Sequence, residues 1–143
     1  MSDHYLSIQE IAKQTRQSLK AEFPQCKFSV TIQQFSGGRS MTVALMAAPF
    51  EPFIGDKTAD GYPFETDYEQ LNPFQLARWP DDNDQYCNGI PLTEQAWKLL
   101  SRVTRIAQRQ NWDRSDIMTD HFDVGYYLDV HIGKYDKPFQ VQP

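Results

Sequence analysis

The sequence predicts an α+β domain: a small, mostly antiparallel sheet with two amphipathic helices on one face, in the order α-β-β-(irregular)-α-β. Three observations carry this reading. Lys27–Gln33 alternates Phe28, Val30 and Ile32 with polar residues, the period of a half-buried strand. A glycine-containing turn, Ser36-Gly37-Gly38-Arg39-Ser40, joins it to Met41–Ala48, which is apolar nearly throughout, as in an inner strand. Finally, Ile8–Phe23 and Glu94–Asn111 each repeat apolar residues at helical spacing, and such stripes are buried best against a sheet.

Taken in order, the first helix opens on Ser7-Ile8-Gln9-Glu10. Ser7 is the N-cap with Glu10 three residues on, and Leu6 with Ile11 can staple the entry. Ile8, Ile11, Ala12, Thr15, Leu19 and Phe23 form the buried stripe, and Pro24 ends the helix. Arg16 and Lys20 read as a solvated face. After the hairpin, Pro49 to Ile90 loses regular periodicity. Gly55 to Gly61 carries turn chemistry, and Phe64 to Trp79, interrupted by Pro73, predicts a short helix or irregular strand. A segment this long must be packed down by its aromatics. Pro91-Leu92-Thr93-Glu94 starts the second helix, with Thr93 as N-cap. Val124 to Ile132 alternates again: Val124, Tyr126, Leu128, Val130 and Ile132 one way, Tyr127, Asp129 and His131 the other. The tail from Lys134 reads as an edge or pinned terminus.

The 143 residues predict one domain, 1–143, with a long irregular aromatic and acidic segment at 50–90. A formal net charge of −5 disfavours generic nucleic-acid binding, which needs clustered cations, but leaves room for a local basic patch. It also suits docking on a basic protein. Cys26 and Cys87 form neither a disulfide framework nor a zinc motif and read as free thiols, Cys87 within a polar loop. With no signal peptide and no apolar run of membrane-spanning length, the expectation is a cytoplasmic protein in the host cell with no membrane partner.

Four groups of residues could carry chemistry. Asp113, Asp116, Asp120, His121 and Asp123 are dense in potential ligands but match no metal-binding loop, so neither metal nor cofactor is expected. Asp129 and His131, with His121 near the strand's start, supply a carboxylate beside an imidazole, the minimum for acid–base work, but no recognisable nucleophile accompanies them. The second helix carries the most basic surface: Lys98, Arg102, Arg105 and Arg109. The irregular segment interleaves aromatic and acidic residues. Glu65, Tyr68, Glu69, Trp79, Asp81, Asp82 and Asp84 would repel a phosphate backbone but suit a groove that normally holds one.

Three stretches together resemble a domain associated with large polyvalent proteins of phages and other mobile elements: Phe23-Pro24-Gln25-Cys26-Lys27-Phe28-Ser29-Val30, Phe35-Ser36-Gly37-Gly38, and Ile132-Gly133-Lys134-Tyr135-Asp136-Lys137-Pro138-Phe139. The resemblance implies a mobile-element setting and no established catalytic residues. The functional expectation is therefore a non-enzymatic binding protein that engages a host protein, such as a nucleic-acid-binding enzyme, as an inhibitor of a defence nuclease of the anti-CRISPR or anti-restriction type. The alternatives are a small enzyme using Asp129 and His131, or an accessory nucleic-acid binder using the basic helix face.

Overall fold

A computed structural model describes residues 7–36, 38–55, 58, 60–61, 68–78, 86–87, 89–109, 126–134 and 136–142. In chain order the elements are α1 (Ile8–Glu22), β1 (Lys27–Phe35), β2 (Gly38–Ala48), β3 (Glu69–Leu71), α2 (Pro73–Arg78), β4 (Tyr86–Cys87), β5 (Ile90–Pro91), α3 (Glu94–Gln108), β6 (Tyr127–Ile132) and β7 (Gln140–Val141).

Both long helices begin where their capping residues dictate. Ser7 Oγ accepts from Glu10 N at 3.1 Å, and Thr93 Oγ1 accepts from Ala96 N at 3.1 Å, each satisfying one of the donors a helix start leaves open. The staple partner Leu6 lies outside the described residues. Pro73, read from sequence as a break, instead starts α2: its missing N–H costs nothing in the first turn, and Asn72 Oδ1 accepts from Phe74 N at 2.9 Å as the cap.

The main sheet runs β1-β2-β6-β3, with β7 also beside β2, and a second small sheet joins β4 to β5. The α+β class holds, but the main sheet is mixed. β1–β2 and β3–β6 are antiparallel, whereas β6 and β7 both run parallel to β2. The hairpin is local and its direction is forced. The return to β6 crosses α3 and a long connection, and such crossovers allow parallel pairing.

The register aligns one apolar row across four strands: Val30 opposite Val43, Val43 beside Val130, Val130 opposite Leu71. Met41, Leu45 and Ile132 extend this face. It packs against Ile8, Ile11 and Leu19 of α1, Leu76 of α2, and Leu100, Val103 and Ile106 of α3, so the helices share one side of the sheet. Arg16, exposed as expected, also donates to Val30 O at 2.7 Å and so covers part of the edge strand β1. The buried Tyr126 hydroxyl donates to Ala107 O, tying the start of β6 to the last turn of α3.

The irregular segment is anchored at several points. Phe53 bridges to Leu92, Ile54 N donates to Pro91 O, and Thr93 N donates to Pro52 O. Cys87 is not in a polar loop but fully buried, and exchanges contacts with the Asn72 backbone, N to Sγ at 3.3 Å. Cys26 and Cys87 are both free thiols, and burial raises the pKa of Cys26. No helix among the described residues is long and apolar enough to cross a membrane.

Candidate functional site

The sheet face opposite the helices is the open one. Strand alternation places Ser29, Thr31 and Gln33 of β1, Thr42 and Ala44 of β2, Tyr127, Asp129 and His131 of β6, and Gln70 of β3 on it. Thr31, Gln33, Gln70, Tyr127 and Asp129 are exposed. Ala44 is completely buried there, because its neighbours across the strands stand over a side chain of one carbon.

Two aromatics mark one end of this face. The Phe35 and Tyr127 rings stack with centroids 6.2 Å apart, although the side chains come from β1 and β6 with β2 between them. Gly38 lies beneath both rings: a Cβ there would make ordinary contact, 3.5 Å from the Tyr127 ring and 3.8 Å from that of Phe35, but its φ of +150° is one that other residues rarely adopt. The rings thus lie over a backbone with no side chain, the way aromatics cover sheet glycines. Phe35 is 46% and Tyr127 49% exposed, so the pair is an apolar knob facing solvent.

At the other end, Tyr68 meets His131 edge-on with ring centroids 5.6 Å apart, and Gln70 Nε2 donates to the Tyr68 hydroxyl at 3.2 Å. His131 is half-buried, and this burial lowers its pKa, partly opposed by the charge of Asp129. No hydrogen bond links Asp129 to His131 among the described residues. The two project side by side from the same face of one strand.

The sequence-predicted residues fall in three places. Tyr68 and Glu69 are half-buried beside β6, so the aromatic and acidic segment and the last strand, treated separately in sequence, meet at Tyr68 and His131. Glu65, Trp79, Asp81, Asp82, Asp84 and His121, like the ligand-rich Asp113, Asp116, Asp120 and Asp123, lie outside the described residues. The basic residues of α3 face neighbouring helices. Arg102 makes a bidentate ion pair with Glu22 of α1, at 2.7 and 2.9 Å, which lowers the Glu22 pKa. Arg109 donates to Ser18 Oγ at 2.9 Å, and Arg105 donates to Ala77 O at 3.5 Å. All four residues, Lys98 included, remain exposed. The sequence reading missed Phe35. Its signal was parity: an aromatic continuing the polar series Ser29, Thr31, Gln33 has no place in the core.

The family model described as large polyvalent protein associated domain 29 matches residues 6–95, from α1 to the first residues of α3. The motif Ile132–Phe139 lies beyond that match. No curated protein and no solved structure matches the chain.

Proposed function

The chain belongs to the large polyvalent protein associated domain 29 family, a phage or mobile-element association, and on that premise we propose that it is a non-enzymatic binding domain engaging a host protein through its open sheet face. The observation that carries this reading is the exposed Phe35–Tyr127 pair, set at the end of a polar face that runs through Asp129 to His131 and Tyr68. Exposed aromatic anchors amid polar groups are what protein interfaces use.

The partner we propose is a nucleic-acid-binding enzyme, a defence nuclease of the restriction or RNA-guided kind. Its support is charge. The chain carries a net −5, and the carboxylates Glu65, Asp81, Asp82 and Asp84 fall in the segment that delivers Tyr68 to the face. A basic groove that accepts phosphates attracts such a surface and holds it less tightly as salt is added.

The test is plasmid cleavage by a panel of restriction and RNA-guided nucleases with the purified chain present. Inhibition of at least one nuclease, weakened by salt and by neutralising Asp81, Asp82 and Asp84 to Asn with Glu65 and Glu69 to Gln, is the expected result. Full cleavage by every nuclease would remove the defence-nuclease reading. Inhibition unaffected by the neutralised variant would remove the role given to the carboxylates.

A further inference from the structure

Just beyond β6 the sheet departs from regular pairing on two strands at the same level. On β2 the register slips: Phe28 lies opposite Leu45 but Lys27 opposite Ala47, so Met46 is an extra residue. On the other side of β2 the chain leaves the sheet after Ile132. Gly133, at φ +73°, begins the excursion, Lys134 and Lys137 pair backbone to backbone at 2.8 and 3.1 Å, and the buried Phe139 brings the chain back to β2 as β7. A half-open cleft of about 330 Å³ lies where the slip and the excursion face each other.

The chemistry of this cleft differs from that of the rest of the surface. Lys27, Lys134 and Lys137 line it, while no carboxylate does among the described residues, although the chain carries 19 acidic residues to 14 basic. None of the three lysines forms an ion pair among the described residues, whereas Arg102 is committed to Glu22. Asp136, in the same excursion, is exposed and not part of the lining. The remaining wall mixes the apolar surface of Phe28, Met46 and Pro138 with the amides of Gln140 and Gln142.

We propose that this cleft binds the phosphate of a nucleotide. Three ammonium groups supply compact positive charge for a phosphate. The volume sits at the lower end of ligand pockets, larger than a lone phosphate requires and right for one nucleotide unit. The apolar wall and glutamine amides offer a nucleoside a surface to lie on and hydrogen-bonding groups to meet. The net charge of −5 opposes a long nucleic-acid tract but not a single phosphate at a local cation cluster. The cleft adjoins the His131 end of the open face and shares Ser29 with it, away from the Phe35–Tyr127 pair, and the lysine variants test it independently of the interface.

Two probes distinguish the sources of such a phosphate: adenosine and uridine 5′-monophosphates, and a single-stranded 12-mer with and without a 5′-phosphate. Binding is followed by amide resonance shifts of the full chain and by titration calorimetry. The expected result is binding of one probe class, with shifts at Ser29, Ala47 and Lys137, weakened at least tenfold in Lys134→Gln/Lys137→Gln. Mononucleotide binding assigns a free nucleotide, and binding that needs the phosphorylated 12-mer assigns a strand end. Should the double variant fail to keep the wild-type melting temperature, Lys27→Gln, on a different strand, replaces it under the same criterion. Absence of binding to both probe classes, or binding that the lysine variants leave unchanged, overturns the proposal.

Discussion

His131 joins two parts of the chain at one ring: its own strand, which also carries the charge of Asp129 two residues away, and the Tyr68 edge contact. Burial lowers its pKa, so the folded state favours the neutral imidazole. As pH falls below the ordinary value of about 6.5, the unfolded chain takes up the proton first. The contribution of this residue to stability is therefore fully present above about pH 6.5 and is lost as pH falls through the folded pKa. Melting temperatures of wild type and His131→Gln, measured from pH 7.5 to 5, should show the wild type losing more stability on acidification. Parallel curves would mean that burial does not perturb this imidazole. The sequence marked His131 and Asp129 as facing away from the core. It did not reveal Tyr68 as their neighbour, because β3 is a three-residue strand in a stretch without periodicity.

The row Val30, Val43, Val130 and Leu71 joins four strands at one level. Most of it was legible in the sequence: the alternation in β1 and β6 identified the inward residues, and the capping sequences located both helix starts. The parallel direction of β6 was not legible, since alternation is identical in either direction. Nor was the pairing of β3 and β7, two or three residues each, too short to carry a period. Val130 is 1% exposed with a strand on either side, so Val130→Asp places a carboxylate where no partner can reach it. Burying an unpaired charge costs several kcal/mol, against a total stability of about 5–15 kcal/mol. The variant is expected to lack a cooperative thermal transition. A melting temperature within a few degrees of wild type would show that β6 does not occupy the middle of the sheet.

At the scale of the molecule, the helices and the open face divide the labour. The helices bury one side of the sheet and use their charges on each other: Arg102 on Glu22, Arg109 on Ser18. The other side keeps a polar face with one aromatic knob and ends near a lysine-lined cleft. The sequence assigned recognition to the acidic segment and left the sheet face aside. The structure brings one member of that segment, Tyr68, onto the face, and this juxtaposition underlies the proposed interface. The most direct test is to remove the knob and leave the fold. Phe35→Ser/Tyr127→Ser alters two side chains that are each nearly half exposed, so its melting transition should stay cooperative and near that of wild type. The measurement is its inhibition constant, relative to wild type, against a nuclease that the wild-type chain inhibits. Interface anchors contribute about 2 kcal/mol or more, so the account predicts inhibition weakened by roughly thirtyfold. Inhibition equal to wild type would contradict it and move the recognition surface off the open face.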